Sequence, residues 1–209
     1  MSLRRIGGKD DGGIDLCGWW WLPPLSSSSS SLPSPSGMRD DLTVIATNEE
    51  GVTRRRVRVI AQCKAERKKL GPNYVREMEG VLHRHLHMPK DTDTQQLVVP
   101  TVALLVSESA FTKSTVLRAL SSPLPFMLLH LPRVVSDASD VDSNGESDTG
   151  TLDSFGSAIW NPALGGQRGI LAGDIDLRWE LSGSVGGSRR PSLWWRGTRL
   201  ESWVPPYER

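Results

Sequence analysis

The 209-residue chain has only two cysteines, Cys17 and Cys63. Two cannot build a disulfide framework or a cysteine-only zinc site, so a reducing or organellar interior suits the sequence better than secretion. Long apolar runs are missing as well. The longest, Leu97 to Val106, is about half of what a bilayer requires and carries Pro100, which excludes a helical membrane span. Gly7-Gly8 and the Asp10-Asp11 pair follow Arg4-Arg5 directly, which excludes a secretory signal. Met1 to Ile6 is too short for the amphipathic presequence of a mitochondrial protein, so the chain carries no visible address. Charge of one sign is lacking too: 25 Lys and Arg face 24 Asp and Glu. That balance excludes a uniformly basic nucleic-acid binder but permits opposed local charges. Phosphate-binding glycine loops, zincin motifs, dinucleotide fingerprints and internal repeats are all absent.

What is present is 37% hydrophobic, with 20 Gly and 14 Pro. This composition suits one core wrapped in looser segments. Leu3 to Ile6 reads as a short strand turning at Gly7-Gly8, and Asp11-Gly12-Gly13 as a second turn feeding a strand from Ile14 to Trp19. The serine and proline mixture near 25–40 buries too little apolar area to order itself. Val57 to Lys64 is the most strand-like segment. Tyr74 to His87 repeats Val75, Met78, Val81, Leu82 and Leu86 at helical spacing. Val98 to Ser107 and Leu124 to Leu131 read as buried strands. Between them Thr112 to Leu120 forms a capped helix with Val116, Leu117 and Leu120 inward. The order is β-hairpin, β, α, β, α, β, an α/β arrangement with a mixed central sheet flanked by helices. The expected core runs over 1–135, followed by an acidic loop at 136–156 and a Trp- and Gly-rich extension at 157–209.

Three polar residues stand where a sheet should be apolar. Asp15 lies in the second strand of the opening hairpin, and Gln62 and Lys64 share one face of the next strand while Cys63 turns away. Asp15 can bind Mg²⁺, with the Gln62 amide oxygen and the Cys63 backbone carbonyl as further oxygen ligands. Lys64 can orient water or stabilise charge on a scissile phosphate. Such parts suit phosphodiester hydrolysis. The alternatives are a turn cap for Asp15 and a solvated edge-strand face for Gln62 and Lys64.

These residues carry a resemblance. Gly12-Gly13-Ile14-Asp15-Leu16 and Val59-Ile60-Ala61-Gln62-Cys63-Lys64-Ala65 resemble the GGxDL and QxK signature of restriction-endonuclease-like proteins of the Mrr type. Several segments also resemble a fungal mitochondrial family required for respiratory growth. They are Asp15 to Trp19 with Pro23-Pro24, Gln62 to Ala65, Pro72 to Gly80, Phe111-Thr112 and Asn161-Pro162. The resemblance implies a restriction-endonuclease-like fold, DNA as partner, a Mg²⁺ cofactor and a mitochondrial setting. In that fold a helix before the hairpin supplies a further acid, and no segment here matches it. The expectation is either a start at an internal methionine or a weak or inactive nuclease that still binds nucleic acid. An organellar assembly factor is a third possibility.

Arg54, Arg55, Arg56, Arg58, Arg67, Lys68 and Lys69 cluster around the strand that carries Gln62 and Lys64, with Arg76 following. They are either a phosphate-tracking surface or a solvated loop and helix start. His83, His85 and His87 are expected to favour a helix C-terminus rather than to bind zinc. Cys63 is expected to be a small core residue. Trp19-Trp20-Trp21 either packs the hairpin onto the core or stacks on bases.

Overall fold

Residue alternation along a single strand organises the molecule. Side chains of a strand point to opposite faces in turn. In β4 (Thr53–Lys64) this sends Val57, Val59 and Ala61 into one core and Ile60 into another. The computed structural model describes residues 1–8, 12–25, 45–47, 51–87, 99–132, 156–181 and 189–205. The serine- and proline-rich stretch beyond Leu25, the acidic segment and the start of the Val98 strand lie outside the described residues.

β4 is central. β1 (Ser2–Arg5) and β2 (Leu16–Leu22) form an antiparallel hairpin, and β2 continues antiparallel onto β4, with Leu16 opposite Ala61 and Leu22 opposite Arg55. The other edge of β4 first takes β3 (Ile45–Thr47) and then, in parallel, β5 (Thr101–Ser107). β6 (Phe126–His130) pairs parallel to β5, and β7 (Ser157–Trp160) closes the far edge antiparallel. The result is a seven-stranded mixed sheet. α1 (Asn73–His87) makes the crossover from β4 to β5, and α2 (Lys113–Leu120) the one from β5 to β6.

Both helices cover one face of the sheet. Val75, Met78, Val81 and Leu82 of α1 close over Ile60, Ala103, Leu105, Phe126 and Leu128. Each fully buried Leu or Phe in this set contributes about 1.5–3 kcal/mol. The expected phase of α2 holds for Val116, which packs against this core, and fails for the two leucines. Leu117 and Leu120 face solvent, and Thr115 and Ala119 face the core. Thr115 Oγ1 donates to the Leu70 carbonyl at 2.6 Å, and Thr112 caps the helix by accepting from Thr115 N–H. Those two bonds fix the rotation of a helix whose sequence pattern admits either phase. Leu86, near the end of α1, is likewise exposed.

The opposite face is covered by the C-terminal third. α3 (Pro162–Gly165) and a three-stranded sheet of β8 (Ile175–Leu181), β9 (Arg189–Trp195) and β10 (Thr198–Arg199) follow β7. Leu164, Leu171, Ile175 and Trp195 close over Trp20, Leu22, Val57, Val59, Val102 and Leu104. The boundary expected at 135 therefore cuts through the core. β7 belongs to the main sheet, and the expected extension is the lid of its second face.

Candidate active site

The chain reaches Asp15 through Gly12 and Gly13, both at positive φ (66° and 84°), where a side chain would strain the backbone. Asp15 stands one residue before β2 rather than inside it. Its main chain is clamped on both sides. Its N–H donates to the Ala61 carbonyl at 2.9 Å, and its carbonyl accepts from Ile6 and Gly7 N–H at 2.9 and 3.1 Å. Its carboxylate crosses to β4, where Oδ2 accepts from Cys63 N–H at 2.7 Å. The backbone groups of a strand point alternately to its two edges. Since Ala61 C=O and Cys63 N–H both meet Asp15, the Cys63 carbonyl is aimed at that same edge. Asp15 and the Cys63 carbonyl thus lie at the same edge of β4.

Gln62 lies on the helix-covered face, 7% exposed, beneath the glycine turn. A Cβ added at Gly13 would lie 3.6 Å from Gln62 Nε2 and from Val81. Gln62 Oε1 is buried and has no hydrogen-bond partner among the described residues. An amide oxygen so placed costs about 1–3 kcal/mol unless something donates to it or coordinates it. Lys64 shares this face. Its ammonium stands 5.3 Å from the centre of the Tyr74 ring, and the Tyr74 hydroxyl donates to Glu66 Oε1 at 2.9 Å. Lys64 thus faces a ring, and its ammonium forms no ion pair within 4 Å among the described residues.

Ser107 reads from the sequence as a strand-end residue with no base to pair it, and sequence reasoning missed His130 in the row beside Lys64. Lys64 is in register with Ser107 of β5, and Ser107 with His130 of β6, so all three point to the same side at the carboxyl ends of the parallel strands. Ser107 and His130 are 1% and 7% exposed. Ser107 Oγ donates to the Ser109 carbonyl at 2.7 Å, and His130 Nε2 stands 3.2 Å from the Glu108 carbonyl. The sequence signal was a histidine ending an apolar strand. Its placement beside Ser107 needed the strand order.

Cys63 is exposed rather than a core residue, because the C-terminal cover of its face reaches Ala61 and no farther along β4. Partial burial and then the Asp15 charge push its thiol above the usual range. The arginine run divides by parity. Arg55 is 3% exposed on the face covered by the C-terminal third. It donates to the Pro23 and Ile170 carbonyls at 3.2 and 3.0 Å, and its guanidinium lies 5.7 Å from the Trp195 ring centre. It is therefore unavailable to a nucleic acid. Arg54, Arg56 and Arg58 are partly exposed on the other face, with Arg56 stacked 4.1 Å from the Trp19 ring centre. Arg67, Lys68 and Lys69 are exposed in the turn after β4, and Arg76 is exposed on α1.

Among the described residues no three His, Cys, Asp or Glu are grouped to hold a metal. The oxygen donors present are the Asp15 carboxylate, the Cys63 carbonyl and the orphaned Gln62 Oε1. That is one carboxylate and two neutral oxygens, fewer charged ligands than a dedicated Mg²⁺ cage supplies. No helix among the described residues is long and apolar enough to cross a membrane.

Fold and site together define a mixed α/β protein whose polar groups gather where a hairpin acid meets the carboxyl ends of parallel strands. The chain belongs to the Required for respiratory growth protein 7 family, whose match covers residues 1–154. That membership implies a role in respiratory growth. No curated protein and no solved structure matches the chain.

Proposed function

We propose that the protein is a Mg²⁺-dependent phosphodiester hydrolase of the restriction-endonuclease-like type, acting on DNA in mitochondria. The observation that carries this reading is Gln62 Oε1, a buried acceptor left unpartnered among the described residues, on the face of Lys64 and one residue from the Cys63 N–H that binds Asp15. The signature GGID and QCK, the antiparallel pairing of β2 with β4, and the family's place in respiratory growth support it. Asp15, Gln62 and the Cys63 carbonyl would hold the cation, which supplies charge neutralisation at the scissile phosphate and an acidified water. The Cys63 N–H bond holds the Asp15 carboxylate against β4, so its reach toward a ligand is preset. Lys64, which forms no ion pair among the described residues, would stabilise charge building on the phosphate or orient the attacking water.

The test is cleavage of end-labelled DNA by the purified chain with Mg²⁺. Lys64→Ala should lower the rate at least about a hundredfold, as loss of one positioned charge-stabilising group does, with the fold intact by circular dichroism. Cleavage by Lys64→Ala at the wild-type rate would show that another site, or another protein, does the chemistry.

A second reading is a nuclease-fold protein that binds nucleic acid without cutting it. One observation favours it: among the described residues Asp15 is the single carboxylate of the proposed ligand set, and one of its oxygens is already bonded to Cys63 N–H. It predicts binding without metal and no cleavage at any metal concentration.

A further inference from the structure

α1 and α2 cover only part of their face of the sheet. Toward the end of β2 that face is closed by Trp203, whose ring packs edge-on at 5.5 Å against Trp21, but over β1 and the start of β2 it holds an open groove of about 380 Å³ lined by Ser2, Arg4, Ile6, Cys17, Trp19 and Arg58, with Gly18 contributing backbone. The registers set these residues in two rows on one side: Ser2 beside Trp19 beside Arg58, and Arg4 beside Cys17. A Cβ on Gly18 would fall 1.9 Å from the Ser2 carbonyl, so only glycine lets β1 lie this close.

The lining includes two arginines and no acid. Neither Arg4 nor Arg58 forms an ion pair among the described residues, and the one hydrogen bond of the Arg58 guanidinium is a 3.8 Å contact to Cys17 Sγ. Arg56, beside the groove, stacks on Trp19 and has no hydrogen-bond partner for its Nε among the described residues. Fixed positive charge, an indole ring and a small volume recur together. Duplex DNA keeps its bases stacked inside and offers none to a pocket of this kind, whereas an unpaired nucleotide offers both a ring and a phosphate. The groove also has a direction. Arg58 lies on the same face of β4 as Gln62 and Lys64, four residues or about 13 Å from Gln62. Cys17 is two residues from Asp15.

We infer that this groove binds an unpaired nucleotide of single-stranded nucleic acid, its base against Trp19 and its phosphates on Arg4 and Arg58. The strand would then run toward Asp15 and Gln62. This inference takes from the proposed function the identity of the polymer; it does not need the chain to hydrolyse anything.

The test is fluorescence anisotropy of labelled 15-nucleotide single strands, deoxy and ribo, against a blunt duplex of the same sequence, with EDTA throughout. One or both single strands should bind at least about tenfold tighter than the duplex, as base stacking contributes. Arg4→Gln and Arg58→Gln should each weaken binding about threefold or more and flatten the salt dependence by about 0.7 in log–log slope. Arg4 is exposed at the sheet edge, so its variant tests the groove even if Arg58→Gln or Trp19→Leu is misfolded by circular dichroism. Duplex binding as tight as single strand, competition by polyglutamate as effective as by the oligonucleotide, or a wild-type salt slope in both arginine variants would overturn the inference. Strand-selective binding with no cleavage would sink hydrolysis and leave the groove standing. Cleavage with no strand preference would do the reverse.

Discussion

Three consecutive arginines look alike in a sequence and have different roles in the fold. Arg54 and Arg56 sit on the partly open face of β4, while Arg55 is enclosed by chain far away in sequence. Burial lowers its guanidinium to about 10, with Asp174 opposing that shift, so it remains charged at neutral pH. Arg55→Ala should lower stability by about 2–4 kcal/mol, because the Pro23 and Ile170 carbonyls lose their donor and a cavity opens against Trp195. Thermal denaturation checks this; an unchanged midpoint would mean the arginine is not bonded as described. Parity was readable in the sequence for Gln62 and Lys64, since strand alternation is local. Which face of Arg55 would be covered was not readable. The cover comes from Ile170, 115 residues on. The same blindness made Cys63 look like core.

At the scale of elements, β1, β2, β4, β5, β6 and both long helices were legible to within about four residues, because their apolar spacing and the Thr112 cap are written locally, whereas β3 and β7 to β10 were not. The rotation of α2 was not, since a tertiary bond from Thr115 to Leu70 sets it. Nor was the meaning of Asn161-Pro162. Asn161, 1% exposed, caps α3 by accepting from Leu164 N–H at 3.1 Å and also accepts from Phe126 N–H at 3.0 Å. Its amide nitrogen donates to the carbonyls of Ala119, Ser122 and Leu124 at 3.1, 3.0 and 2.7 Å. One side chain thus joins the end of α2, the start of β6 and the start of α3. Asn161→Ala strands several buried backbone groups and should cost about 2–4 kcal/mol. Chemical denaturation with a circular-dichroism readout measures it, and a loss below the error of the midpoint would contradict this role.

For the molecule as a whole, the sheet is a partition. One face carries α1 and α2, the other the C-terminal third, and the polar residues collect at the end where the parallel strands finish. In open α/β sheets ligands bind at that end. The proposed cation site, made of Asp15, Gln62 and the Cys63 carbonyl, would lie there. Isothermal titration of Mn²⁺, standing in for Mg²⁺, into the wild type, Asp15→Asn and Gln62→Glu tests it most directly. If the site is real, Asp15→Asn abolishes binding, and Gln62→Glu, by adding a second carboxylate, tightens it about tenfold. Identical titrations from all three proteins would contradict the claim.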